Sequence, residues 1–368
     1  MAADSQNYEL WETNDFLGVY RDMKFDSLYW TNWFQNEILS EDEYIDFEKM
    51  PIRNRSLAPF VMPLARGRAI YSDRATAFRF KPAYVKLEDQ IDPLMPLTRR
   101  VGIDANASQP LPLNRLSPAQ RLDLIRAAMA AQHVDALNRT FNFMSCVALR
   151  DGQITLSGRD YPTTLVDFRR AANHTITLGA GSRFGDAGVS IMDFFQLVID
   201  RMTNADFGGM PTRATMGGGV WSVMRNSVEF QAYLDLDKRD SGNVQFERSL
   251  VTGDPIYKVG ELRVGGGSGA SIELWVDNST FVHPETGVTT RYIGNHQILF
   301  TAPAAAVSGY QAFGRIIDRA ANWEPMRFFP KNWVSHGDVE VEYITHKSAP
   351  LFVPLNPNAT LLGNVIAP

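Results

Sequence analysis

The chain has 368 residues, 45% of them hydrophobic and 21% charged, with a formal net charge of −5. That length exceeds what one hydrophobic core usually serves, so two lobes or more are expected, and the mildly acidic balance argues against a dedicated nucleic-acid binder with its basic footprint. A lone cysteine, Cys146, excludes an internal disulfide and reads as a reduced core residue.

Residues 1–50 are dense in aromatic side chains, among them Trp11, Phe16, Tyr20, Phe25, Tyr29, Trp30, Trp33 and Phe34. Few of them fall into one helical stripe. A segment this aromatic needs a surface to lie on, either its own core or a neighbour's. Glu37, Glu41, Asp42, Glu43, Asp46 and Glu48 form an acidic cluster at its end. No cationic start followed by an apolar run and a cleavage site marks a secretory signal.

Residues 51–100 contain six prolines and short alternating segments. Leu57–Leu64 and Ala75–Val85 read as strands of a long hairpin, with Arg66-Gly67-Arg68 near its turn. Between Arg53 and Lys86 there are eight basic residues and one acidic residue, Asp73. An isolated two-stranded hairpin is marginal in water, so one this long needs an outside surface or a wider sheet.

Ser117-Pro118 is a helix start, with serine at the cap and proline in the first turn. Apolar positions recur at Leu122, Ile125, Met129, Ala136, Phe141 and Met144, and the pattern stops at Asp151-Gly152. This predicts a helix of roughly 30 residues, about 45 Å long. Gln153–Leu156 and Thr163–Asp167 read as a strand pair. Val189–Thr203 reads as an amphipathic helix, and Val220–Asp235 as one helix or two broken near Ser227. Ser271–Val276 and Thr290–Thr301 read as strands around a hairpin at Pro284–Gly287. Tyr310–Asn322 reads as a helix or an irregular stretch, and Val339–Thr345 as a strand. No run of about 18 apolar residues offers a membrane span.

Candidate chemistry is sparse. Gly265–Gly269 lacks the Lys-Ser/Thr of a phosphate loop and precedes a strand where a helix should start. Gly217-Gly218-Gly219 precedes a helix, where N–H groups can meet an anion, but a tight turn is the better reading. Asp235-Leu236-Asp237 is followed at once by Lys238 and Arg239, which repel a divalent cation. His133, His174, His283, His296, His336 and His346 are scattered without zinc-helix spacing. A Cys146–His133 dyad would span about three and a half turns of one helix, too far to touch. No cofactor, metal site or catalytic residue is expected.

The most specific signals are short motifs in a fixed order. Met23–Leu28 reads M-K-F-D-S-L, Pro82–Lys86 reads P-x-Y-V-K, and Ile91-Asp92-Pro93 follows. Arg327–Trp333 reads R-F-F-P-K-N-W, then come Gly337-Asp338 and Ser348-Ala349-Pro350-Leu351. Together they resemble the capsid protein E family of lambda-like tailed bacteriophages over nearly the whole chain. Two departures are Ser27, where the family has proline, and Phe329, where it has tyrosine.

The resemblance implies an α+β protein of the tailed-phage major capsid fold, the Hong Kong-phage type. Its parts would be an N-terminal arm (1–50), an extended-loop β-hairpin (51–105), a peripheral domain with a long spine helix (106–180), an axial domain (181–301) and a returning peripheral segment (302–368). It further implies a shell of pentamers and hexamers around phage DNA, bound without sequence specificity. The expected partners are other copies of the chain, a separate scaffold protein, a portal and a decoration protein, with no membrane. The expected location is the virion, after assembly in the bacterial cytoplasm. Arg66, Arg68, Arg74 and Arg79 against Glu41, Asp42 and Glu43 are then candidate contacts between subunits. Trp333 and Pro330 are candidate packing anchors that lock the returning chain onto the spine helix. An encapsulin-type cargo shell and a cytosolic enzyme with a dispersed site remain as alternatives.

Overall fold

The apolar spacing between Leu122 and Leu149 produces a single helix, α1 (Pro118–Asp151), of 34 residues. It is about 51 Å long, several times the usual helix length. The computed structural model describes residues 28–49, 76–92, 118–158, 161–231, 255–264, 270–335 and 340–368. The helix stops where the sequence says it should. Gly152 has φ +67°, a left-handed conformation that glycine adopts without strain, and its N–H still donates to the Ala148 carbonyl at 3.2 Å. The Arg170 guanidinium then takes two of the last free carbonyls, Leu149 O at 3.1 Å and Arg150 O at 2.7 Å.

The two halves of α1 have different surroundings. From Met144 to Leu149 every residue is buried, so this stretch is surrounded by core. Phe141 packs on Phe313 and Phe352, with ring centroids 5.6 and 5.8 Å away. The N-terminal half buries only one face. Ala130 and Val134 form a small separate cluster with Ile91 and Ile344.

The strands in chain order are β1 (Asn36–Ser40), β2 (Ile45–Lys49), β3 (Thr76–Phe80), β4 (Val85–Ile91), β5 (Gln153–Gly158), β6 (Tyr161–Asp167), β7 (Thr175–Thr177), β8 (Arg213–Met216), β9 (Ile256–Val264), β10 (Ala270–Asp277), β11 (Thr280–Val282), β12 (Thr289–Arg291), β13 (Gln297–Thr301), β14 (Gly309–Gly314), β15 (Phe329–Ser335), β16 (Val341–Ser348), β17 (Pro350–Pro354) and β18 (Thr360–Asn364). A mixed six-stranded sheet has the order β7-β18-β13-β8-β10-β9. Helix α2 (Ile191–Asn204) sets Phe194 and Phe195 against Phe300 of this sheet. Ser190 caps α2 by accepting the Asp193 N–H at 3.1 Å. Two three-stranded sheets, β1-β14-β17 and β15-β16-β4, flank α1, and β2–β3, β5–β6 and β11–β12 are two-stranded.

Several expectations change. Residues 28–49, placed in the arm, are built into their own chain: Tyr29–Trp33 is a buried 3-10 helix, and β1 runs parallel to β14. Residues 1–27 lie outside the described residues. β3 pairs with β2, whereas Leu57–Leu64, its expected partner, lies outside the described residues. Tyr310–Gly314 is strand, because it sits between β1 and β17 in a sheet. The hairpin at Pro284–Gly287 joins β11 to β12, while β10 pairs with β9 and β8. The six-stranded sheet also takes β7 and β18 from the segments expected to be peripheral.

The 28–34 segment crosses between α1 and the large sheet, and each buried indole brings its N–H to a partner. The Trp30 backbone N–H donates to Asn142 Oδ1 on α1 at 3.0 Å, and its indole Nε1 donates to Asp277 Oδ2 on β10 at 3.2 Å. Trp33 Nε1 donates to Ala302 O at 3.0 Å. The Arg213 guanidinium lies 5.6, 5.1 and 4.7 Å from the rings of Tyr29, Trp33 and Trp275. Trp30→Ala is expected to cost about 3–5 kcal/mol, from the lost ring and the lost donor to Asp277 Oδ2. Leu165→Ala, at a position 57% exposed, should stay within about 0.5 kcal/mol. Urea unfolding of both variants checks the contrast; equal midpoints would remove the strap from the core.

Candidate functional site

Two motif segments that are far apart in sequence meet in space, while Met23–Ser27 and Gly337-Asp338 lie outside the described residues. β16 lies between β15 and β4 in an antiparallel sheet, so R-F-F-P-K-N-W and P-x-Y-V-K share one neighbour. Lys347 pairs with Phe329 on one side and Lys86 on the other. Ser348-Ala349-Pro350-Leu351 is the buried corner where the chain leaves this sheet and enters β17. Ser348 Oγ donates to Arg327 O at 2.6 Å, and the Ala83 N–H donates to Pro350 O at 3.2 Å. A serine hydroxyl and a proline without an N–H therefore suit a buried turn in which each polar group already has a partner.

One face of β16 reads Glu342, Ile344, His346, and it meets Arg126, Ala130, Val134 and His133 on α1. Arg126 is 3% exposed and forks onto both Glu342 oxygens, at 2.7 and 2.9 Å. His133 Nδ1 lies 2.9 Å from His346 Nδ1. On the opposite face Asp318 is held by Lys331 and Lys347. Burial pushes the Asp318 carboxyl up, but hydrogen bonds from Lys347, the Ala320 N–H and Lys331 outweigh it and hold it at about 2. Sequence reasoning missed all three groupings. The available signal was an alternation in which polar residues occupy core-facing strand positions.

Strand parity explains the anchors. Pro330 opposes His346 and is buried, on the side of α1. Trp333 is three residues on and faces away from α1. It is 37% exposed and stacks on Tyr343, its cross-strand partner, at 4.4 Å and 11°. It is a surface stack, and the buried ring of this motif is Phe329.

The β2–β3 ribbon and the residues flanking it carry an exposed ladder of charge. Arg79 pairs with Asp46 at 2.8 Å and Lys81 with Glu43 at 2.8 Å, both within the chain. Tyr44 lies between them, 5.8 Å from Arg79 and 5.9 Å from Lys81. Hydrogen bonds from Lys81 and Arg79 lower the pKa values of Glu43 and Asp46. Glu41 and Asp42 are exposed. Arg66, Arg68 and Arg74 lie outside the described residues.

The remaining candidates do not assemble. Cys146 is fully buried and donates to Tyr292 O at 3.6 Å, with its thiol pKa raised by burial. His133 turns to His346, and His174 donates to Thr360 O at 2.9 Å. At Gly217 a Cβ would sit 2.3 Å from Gly294 O, so this glycine serves close backbone packing, and the Gly217 and Val220 N–H groups are taken by Gln297 O and Asn295 O. Asp235–Asp237, Gly265–Gly269 and His336 lie outside the described residues. Among the described residues no group of three or more His, Cys, Asp or Glu is placed to hold a metal.

The family model described as phage major capsid protein E matches residues 15–365. The major capsid protein of Enterobacteria phage P21 is 24% identical over 361 residues, covering 97% of this chain and 99% of that protein. That of Escherichia phage lambda is 24% identical over 340 residues, covering 91% and 93%. In fold, the chain is similar to a prophage capsid protein from Escherichia coli CFT073, with a TM-score of 0.68, 18% identity, and coverage of 96% and 99%. The α+β architecture is thus the tailed-phage capsid fold, of the Hong Kong-phage type.

The two aromatic residues of β15 should separate on mutation. Trp333→Ala is expected to remain folded and soluble and to lose about 0.5–1.5 kcal/mol, the value of a stacked pair. Phe329→Ala should lose about 3–5 kcal/mol. Denaturation midpoints of the two purified variants decide it; a larger loss at Trp333 would reinstate that ring as the core anchor.

Proposed function

We propose, from the premise that this chain belongs to the phage major capsid protein E family, that its copies close as pentamers and hexamers into an icosahedral shell around double-stranded DNA. The chain is a major capsid protein and a structural one, with no enzymatic role. The observation that carries this reading is the family match across residues 15–365, together with a fold whose elements present more surface than one copy covers. β2–β3 and β11–β12 are two-stranded ribbons, with Val282 exposed on β11 and Tyr44 and Val288 exposed just before β2 and β12. Such ribbons gain stability when a neighbour lies on them.

The arm (1–50), of which 28–49 is built into its own chain, and the extended loop (51–105) are the segments that reach adjacent copies, with β2–β3 at the base of the loop. The peripheral part is α1 with β15-β16-β4 and β1-β14-β17; the axial part is the six-stranded sheet with α2. Arg79 and Glu43 already have partners within the chain, which leaves Arg66, Arg68 and Arg74 of the loop to meet the exposed Glu41 and Asp42 of an adjacent copy. The shell assembles in the bacterial cytoplasm on a separate scaffold protein, with a portal and a decoration protein, and holds DNA without reading its sequence.

Electron microscopy and light scattering of the purified protein test the shell directly, since an enzyme would stay a small oligomer. Expressed alone, the chain should give tubes, aggregates or particles of mixed size. Heterologous contacts that fail to close produce such forms, and the scaffold should narrow the distribution. Reversing Arg66 and Arg68 to glutamate should block assembly or make it more salt-sensitive, although each exposed pair is worth about 1 kcal/mol at most. Normal assembly of that variant at every salt concentration would remove the loop–acid contact.

A further inference from the structure

Two imidazoles meet across the seam between α1 and β16. His346 is fully buried and His133 is 5% exposed; their ring centroids lie 4.9 Å apart and their planes cross at 82°. The 2.9 Å contact joins Nδ1 to Nδ1, and His133 Nε2 is 2.9 Å from Asp89 Oδ2 on β4. Asp89 holds His133 from its far side, so the three groups do not converge on a point where a metal could sit. They form a chain of hydrogen bonds instead.

That chain fixes how many protons it tolerates. A nitrogen contact of 2.9 Å needs one hydrogen and one lone pair. In the neutral pair, His133 donates Nε2–H to Asp89, so its Nδ1 accepts the Nδ1–H of His346. One added proton fits: His133 then carries both hydrogens and His346 turns to its other tautomer. A second added proton does not fit, because two N–H groups and two positive charges would face each other at contact distance.

The other charged groups nearby have partners elsewhere. On α1, Arg126 is bound to Glu342 of β16 and Asp123, and Asp135 faces Arg139. On β4, Lys86 pairs with Glu88. Lys347 of β16 and Lys331 of β15 hold Asp318 on the far face of the sheet. The N-terminal half of α1 rests on the small cluster of Ala130, Val134, Ile91 and Ile344, separate from the main core.

We propose that His133 and His346 form a proton-operated latch, which holds the N-terminal half of α1 on the β15-β16-β4 sheet while at most one ring is charged and releases it when both are. The latch acts within one chain and does not rest on the shell reading. Burial, and then the charge of His133, lower the His346 pKa from its ordinary 6.5 to about 3. A base whose folded-state pKa is depressed opposes docking once the pH falls below its ordinary value. The docked state is therefore intact above about 6.5 and weakens progressively from there down to about 3.

Hydrogen exchange of the full-length chain at pH 7.5, 6.5 and 5.5, corrected for intrinsic rates, tests the latch. Peptides covering 118–134 should lose protection about fivefold between pH 6.5 and 5.5 relative to α2, and His346→Gln, which does not titrate, should abolish that difference. If His346→Gln does not fold at pH 7.5, His346→Phe keeps a ring and takes its place. A wild-type profile that is flat, or that falls equally in 118–134 and 191–204, overturns the latch without any variant. So does a folded variant with the wild-type pH dependence.

Discussion

A helix stretch buried on every side, Met144–Leu149, leaves no water to satisfy the polar groups that approach it, and the rest of the fold is arranged around that constraint. Each element that touches the C-terminal half of α1 arrives with its hydrogen bonds already assigned. Trp30 brings its N–H to Asn142, Arg150 reaches Tyr292 O at 2.7 Å, and Arg170 closes the last carbonyls. Ser145 turns back to the helix itself: its hydroxyl donates to Phe141 O. An unmade bond here costs far more than the bond contributes, so the contacts specify one arrangement as much as they stabilise it.

The outer half of α1 solves a different problem. Its seam with β16 alternates ion pair, apolar contact and imidazole pair. Residues at i, i+2 and i+4 on the strand meet residues seven apart on the helix, because about 13 Å of strand spans nearly the same distance as two helical turns. An ion pair at one end, an imidazole pair at the other and an apolar centre fix the register. Sliding the helix by one turn would leave Arg126 and Glu342 buried and unpaired, which is among the costliest errors a fold can make.

What was legible in the chain follows from the range of the interactions. α1 could be bounded closely, since Pro118 and Gly152 are local signals and the apolar period runs through many turns. The break at Ser227 and the β5–β6 pair are local for the same reason. Tyr310–Gly314 was opaque: five residues carry no decisive period, and their strand character comes from β1, more than 270 positions away. Trp333 was misjudged because a large ring in a conserved-looking motif invites burial, while strand parity, visible only once Pro330 is known to face α1, turns it outward. His133 and His346 could not be joined without knowing that β16 lies on the helix. Three of the short motifs that carry the resemblance, Pro82–Lys86, Arg327–Trp333 and Ser348–Leu351, lie on the two sides and at the corner of one sheet.

The placement of β18 has a consequence for synthesis. Of the described strands it is last in sequence, yet it lies inside the large sheet, antiparallel to β13 and parallel to β7. Until residues 360–364 have left the ribosome, the β13 edge stands open and β7 has nothing to pair with. The strap at Trp30 must likewise wait for Asp277. A chain with such distant pairings folds late and slowly. A chain that has not yet made β18 therefore presents β13 as an unpaired edge, and such an edge is a template for another strand until β18 closes it.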